Sequence, residues 1–145
     1  MTPTANQRVR IIMSQYLWIA LGSTIGGVAR FALSGLIAQR FGETFPWGTL
    51  AINISGSFVI GFFATLTAPP DGRFLVGGTM RQFVMTGICG GYTTYSSFSL
   101  QTFAMARDGE WFRAGANTIG TFTLCFLAVW LGHLCAAWLN SMKGT

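Results

Sequence analysis

The sequence predicts an all-α membrane protein with four transmembrane helices, the third broken in mid-membrane. Three observations predict it. Of the 145 residues 51% are hydrophobic and only 9% are charged, against about 25% charged in ordinary soluble domains, and the mean hydropathy is +0.50. Four apolar runs, about residues 16–38, 47–68, 82–106 and 111–138, each reach the roughly 20 residues that carry a helix across a bilayer. The third run holds a Gly90-Gly91 pair and then an unbroken series of hydroxyls and rings, Tyr92-Thr93-Thr94-Tyr95-Ser96-Ser97-Phe98-Ser99. The chain reads as one domain, residues 1–145.

The first run follows a polar segment, residues 1–14, with two arginines, expected to be a loose or interfacial tail. Basic residues ahead of an apolar stretch also open a signal peptide, but this stretch is too long for one and more spans follow. Gly22 and Gly26 form a GxxxG pair, a pattern that lets helices pack closely. Arg30 sits about two-thirds of the way along this span, where a charge is costly without a partner or a route to the interface. It reads as structural, near an interface or at a helix end, with a direct substrate contact as the alternative.

The loop from Arg40 to Pro46 separates the first two spans. Pro46-Trp47 opens the second, because proline suits a first helical turn and tryptophan suits the membrane interface. Asn53 lies inside this span, and Ser55, Gly56, Ser57 and Gly61 make one side of it small. Pro69-Pro70-Asp71-Gly72 is a turn signal. The glycine-rich segment 73–81 is at most amphipathic. The third span then starts near Gln82 and is expected to be interrupted at Gly90-Gly91. Arg107-Asp108-Gly109-Glu110 forms the next turn. The fourth span carries Asn117, Thr118, Thr121 and Thr123 in its first half.

The net charge is +5, but the nine basic residues are scattered singly, unlike the concentrated patch of a nucleic-acid binder. Four spans place both termini on one side, with Arg8, Arg10, Arg73, Arg81 and Lys143. Arg40, Arg107 and Arg113 lie on the other, joined by Arg30 if it snorkels that way. So even a count is a weak orienting signal and allows insertion both ways, with a single orientation, termini inside, as the alternative.

Glu43, Asp71, Asp108 and Glu110 are the only acids, and all lie in expected loops. Proton-coupled carriers use intramembrane carboxylates or histidines as relays, and the lone His133 sits near the end of the last span. A nucleophile–histidine–acid set and a phosphate-binding loop are both missing, so no catalytic residue and no enzyme activity are expected. Cys89, Cys125 and Cys135 show no metal-ligand spacing and read as small buried hydrophobes.

Inside the spans remain neutral donors: Asn53, Asn117, Thr121, Gln101 and the hydroxyl run. A desolvated anion needs such groups, and aromatic rings add electropositive edges. Tyr95 and Phe98 are three residues apart and share a helical face. They either flank an anion edge-on or simply pack. Unwound backbone at the break either offers carbonyls to a small cation or marks close packing, since Gly87 and Gly91 also form a GxxxG pair.

On these residues the chain resembles the Fluc/CrcB family of fluoride channels. Gly26-Gly27-Val28-Ala29-Arg30-Phe31 resembles the family's first-span signature. Pro46-Trp47-Gly48-Thr49-Leu50-Ala51-Ile52-Asn53 resembles its second-span opening, and residues 86–99 resemble its third-span break. The resemblance implies an antiparallel, dual-topology homodimer in the cell (inner) membrane, with two pores built from both subunits. It implies passive fluoride export that lowers cytoplasmic fluoride, and a central structural sodium ion on the backbone carbonyls of Gly90 and Thr93. The fluoride pathway then falls on Asn53, Tyr95, Phe98, Asn117 and Thr121, with Ser96 and Ser97 beside it. The chain departs from the family at Tyr95, usually phenylalanine, at Gln101, often glutamate, and at Cys125, commonly serine, to which no pore role is assigned. The partners expected are fluoride, sodium, the bilayer and a second copy of the chain, not nucleic acid. Two other readings are a small proton-coupled exporter, which the missing intramembrane carboxylate disfavours, and a membrane subunit that transports nothing.

Overall fold

The computed structural model describes residues 4–68 and 72–142. Pro69, Pro70 and Asp71 of the expected turn, and Lys143 of the tail, lie outside the described residues. The fold is all helical: α1 (Ala5–Phe41), α2 (Trp47–Leu66), α3 (Gly78–Gln82), a π-helical segment (Phe83–Cys89), α4 (Gly90–Tyr92), α5 (Tyr95–Arg107) and α6 (Trp111–Ser141). Helices α1, α2 and α6 are each long and apolar enough to cross a membrane.

Of the loose or interfacial tail expected over residues 1–14, residues 5–14 are helical and continuous with the first span. The helix begins at Ala5 because Thr4 and Gln7 form a reciprocal capping box, which satisfies two of the free amides of the first turn. With 37 residues it is about 55 Å long and exceeds the roughly 30 Å hydrocarbon core. It stops at Gly42, whose φ of 76° is the left-handed conformation that glycine adopts without strain.

The distribution of side chains is that of a membrane protein. The buried positions are mostly small or polar, such as Ala114, Ala128, Ala136, Thr49, Asn53 and Asn117, while large apolar side chains such as Phe31 and Phe122 point outward. Water would disfavour that surface, whereas lipid has no hydrophobic penalty for it, and small residues let backbones approach.

Helices α2 and α6 make the most extensive contact. They run parallel in a constant register: Ser57 meets Cys125, Gly61 meets the backbone of Val129 and Thr65 bonds His133 at 2.9 Å, each pair one turn beyond the last. Helix α1 packs along the π-helical segment and α4. A β-carbon on Gly22 would meet the Phe83 carbonyl, and one on Gly26 the Ile88 carbonyl. The GxxxG pair therefore acts as sequence reading expects, by removing side chains from a backbone contact.

The break is not where the glycines placed it. Gly90 and Gly91 are helical, and the backbone leaves the helix at Thr93 (ψ 159°) and Thr94 (φ −150°, ψ 105°). Gly91 serves packing instead, since a β-carbon there would strike the backbone of Ser23 on α1. Glycine's permissiveness was the wrong signal here; tertiary hydrogen bonds to Thr94 decide the position.

Candidate functional site

Asn53, buried in the middle of α2, faces the interruption. Its Nδ2 donates to the Thr94 carbonyl at 3.1 Å, and its Oδ1 accepts from the Thr94 amide at 2.8 Å. Both main-chain groups of Thr94 are thereby satisfied without a helix, as buried backbone requires. The Thr94 amide would otherwise continue the helix onto the Gly90 carbonyl. One residue earlier, both the amide and the hydroxyl of Thr93 donate to the Cys89 carbonyl, at 3.0 and 2.9 Å. No hydrogen bond reaches the Thr93 carbonyl among the described residues.

Beyond the break α5 starts afresh. Thr94 is its N-cap, with Oγ1 accepting from the Ser97 amide at 3.2 Å and donating to Ser97 Oγ at 2.9 Å. The rings of Tyr95 and Phe98 follow on its first turn, with centroids 5.4 Å apart and planes tilted by 48°.

Two clefts meet at this point. A groove of about 580 Å³ has α2 as its floor, with Asn53, Gly56 and Ser57. Cys89, Gly90 and Thr93 form one wall, Thr121 and Cys125 of α6 the other, and Tyr95 and Phe98 close it. Of the residues expected to act, Asn53, Gly90, Thr93, Tyr95, Phe98 and Thr121 thus come together. The second cleft, of about 900 Å³, includes Arg30, Thr49, Thr94, Ser97 and Gln101, with Glu43, Asp108, Glu110 and Arg113 toward the loops. The Asn53–Thr94 pair stands between them, one partner lining each.

Other expected residues fall elsewhere. Ser97 lines the larger cleft. Ser96 is exposed and lines neither. Asn117 is 2% exposed and sits behind the aromatic pair: its Nδ2 donates to Thr102 Oγ1 at 2.7 Å, and that hydroxyl donates to the Phe98 carbonyl at 2.8 Å. Thr121 Oγ1 donates to Asn117 Oδ1 at 3.4 Å. Arg30 is half-buried along the larger cleft, well inside α1, and makes no hydrogen bond or ion pair among the described residues. The Oε1 of Gln101 is buried without a partner.

Sequence reasoning missed three contributions. Thr94 was seen only as one hydroxyl among many, although a threonine ahead of a helical run is an N-cap pattern. Thr102 carried no signal at all. Arg81 caps a helix other than its own: its guanidinium donates to the Thr67 carbonyl at 2.7 Å, to Thr67 Oγ1 and to the Ala64 carbonyl at 3.4 Å. Helix α2 has no basic residue in its last turn, so Arg81 supplies the cation that its negative end favours. Cys125, which had no expected pore role, lies on the groove wall beside Ser57.

The fold and this groove define a small multi-span helical membrane protein whose buried side chains include the amides of Asn53 and Asn117 and several threonine hydroxyls among small and apolar groups. The profile of the family described as CrcB-like protein, Camphor Resistance (CrcB), matches residues 17–133. The chain is 66% identical to the fluoride-specific ion channel FluC of Opitutus terrae, over 92% of this chain and 100% of that one. It is 57% identical to the FluC of Methylocella silvestris, over 89% and 98%, and 56% identical to that of Paramagnetospirillum magneticum, over 88% and 99%. The chain belongs to the CrcB-like family.

Proposed function

We propose that this protein is a fluoride-selective ion channel that lets fluoride leave the cytoplasm passively, across the cell (inner) membrane. The observation that carries the reading is the groove: Asn53, Ser57, Thr93 and Thr121 border it together with the Tyr95 and Phe98 rings, among apolar side chains such as Ile60 and Phe126 and with no carboxylate on its lining, in a chain whose relatives are named fluoride-specific channels. A small, strongly hydrated anion must trade water for protein donors. Asn53 spends one N–H on Thr94 and has a second, and Thr121, Tyr95 and Phe98 line the same groove. Ser97, on the larger cleft, extends the polar surface past the Asn53–Thr94 pair.

In this reading α3 to α5 together form the third of four crossings, broken at mid-depth, and the chain works as an antiparallel, dual-topology homodimer with two pores. The near-even basic count across the membrane supports it, as do the large apolar rings left on the surface of a single copy. A structural sodium ion fits the residues present. The Thr93 carbonyl has no hydrogen bond among the described residues, the Gly90 carbonyl loses its next-turn amide to Asn53, and both residues border the groove. Carbonyl oxygens suit a hard cation, and such an ion would supply a fixed positive charge that favours nearby anions. Arg30, on the larger cleft, is structural in this scheme and adds positive potential at its mouth.

The test is fluoride efflux from liposomes that contain only this protein, with chloride as the control ion and with or without a pH gradient. Fluoride leaves down its gradient, chloride stays, and the pH gradient makes no difference. Flux that requires a proton gradient would establish the exporter, and no flux of any ion would leave a membrane subunit without transport.

A further inference from the structure

Thr94 is the one residue that touches every part of the break. Asn53 holds both of its main-chain groups, at 2.8 and 3.1 Å. Its hydroxyl caps α5 through the Ser97 amide and also bonds Ser97 Oγ. Its side chain lines the larger cleft, it is 7% exposed, and the next residue begins the turn that carries Tyr95 and Phe98. The extended conformation of Thr94 suits a β-branched residue. Its main chain cannot turn without breaking two hydrogen bonds.

We propose that Thr94 is a positioning residue for ion selectivity. Clamped by Asn53 and capping α5, it sets the rotation of the first turn of α5 and so the place of the Phe98 ring on the groove. The proposal rests on the fluoride-channel reading and deepens it. The first amides of a helix have no partner of their own. With the Thr94 hydroxyl gone, the Ser97 amide loses its acceptor, and the first turn of α5 gains freedom to fray or rotate. Discrimination by a site depends on donors held in place, so chloride rejection suffers first. The fold of the single chain, which rests on α2–α6 and on α1 with the π-helical segment, stays.

The experiment compares the full-length protein with Thr94→Val, Thr94→Ser and Thr94→Asn in liposomes, with fluoride and chloride efflux measured side by side. Valine keeps the shape and the main-chain clamp but removes the hydroxyl, whereas serine and asparagine are both good caps. Thr94→Val should lower the fluoride-to-chloride flux ratio about fivefold or more, the scale of a lost cap, and Thr94→Ser should restore it to near the original. Hydrogen exchange at the Ser97 amide should speed up in Thr94→Val and stay slow in Thr94→Ser. A Thr94→Val protein with the original ratio and the original exchange overturns the proposal, and so does a Thr94→Ser protein as unselective as Thr94→Val. If Thr94→Val does not assemble, Thr94→Asn against Thr94→Ala decides in the same way, by cap present or absent. An unaltered protein that passes no fluoride overturns the channel reading instead, and the exchange comparison then still tests the cap on α5.

Discussion

Tyr95 and Phe98 are in ring contact, with centroids 5.4 Å apart, yet Tyr95 is 80% exposed and Phe98 is 9% exposed. The two rings share one turn and one groove but not one environment. Phe98 is held from behind, because its carbonyl accepts from Thr102, which in turn accepts from Asn117. Tyr95 projects from the surface of the single copy, where a second copy of the chain would meet it in the proposed dimer.

Phe98 should therefore matter more for permeation than Tyr95. Phe98→Ile keeps bulk and apolarity but deletes the electropositive edge, and fluoride efflux should fall at least about tenfold, a difference of roughly 1.4 kcal/mol in barrier. Tyr95→Phe should retain substantial flux. A folded, dimeric Phe98→Ile protein that conducts at the original rate would remove the ring edge from the mechanism.

Asn53→Leu should be harmed twice. It loses a donor on the groove and leaves the Thr94 amide and carbonyl unpaired in a buried place, each at about 1–3 kcal/mol. Flux should fall strongly, and thermal unfolding in detergent should shift down. A normal melting temperature together with lost flux would mean that Thr94 has found other partners and that Asn53 acts on the ion alone.

Gly26 faces the Ile88 carbonyl with no space for a β-carbon. Both groups are backbone, so the contact has no flexible side chain to yield. Gly26→Val should destabilise the fold by about 1–3 kcal/mol, the usual range for overpacking, while Gly27→Ala, which meets open space, should be near neutral. Denaturant titration of the two proteins in micelles checks this, and equal stabilities would contradict the packing of α1 on the π-helical segment.

Arg81→Met should loosen the end of α2, because it removes the cation from the last-turn carbonyls and leaves Thr67, 2% exposed, with one partner fewer. The expected loss is up to about 2 kcal/mol, the upper range for a charge at a partly buried helix end. It should appear as faster hydrogen exchange near Thr67, with Arg81→Lys intermediate. Exchange that is unchanged in Arg81→Met would show that α2 ends stably without it.

Dual topology is read out by labelling. Single cysteines placed in each tail of a cysteine-free background should react with an impermeant reagent from both sides of the membrane in one preparation. Reaction from one side only would sink the antiparallel arrangement and, with it, the reason to bring two breaks to one centre.

The three long apolar helices and the close-packing glycines of α1 were legible in the sequence, because each is a local or compositional property. Long apolar runs can only be satisfied by helix in lipid, and Gly22 and Gly26 announce a backbone contact by lacking side chains. Thr4 and Gln7 also announce their capping box, which the polar look of residues 1–14 concealed. The motif at residues 86–99 points to the segment whose Gly90, Thr93, Tyr95 and Phe98 share the groove, with Asn53 and Thr121 reaching it from α2 and α6.

What only the tertiary structure decided is where that segment breaks and which of its polar groups face which cleft. Local propensity favoured Gly90-Gly91, but a helix ends where its hydrogen bonds are better made elsewhere. Asn53, 41 residues away in the chain, offers Thr94 both a donor and an acceptor, so the interruption falls on a β-branched residue and the glycines stay helical. The same pairing divides Ser97 from Asn53, while the bond from Asn117 to Thr102 sets Asn117 behind Phe98 rather than on the groove. Composition and the length of the apolar runs determine that this chain belongs in a membrane. The geometry that makes a site comes from contacts between residues far apart in sequence, whose energies outweigh the local preferences that a sequence displays.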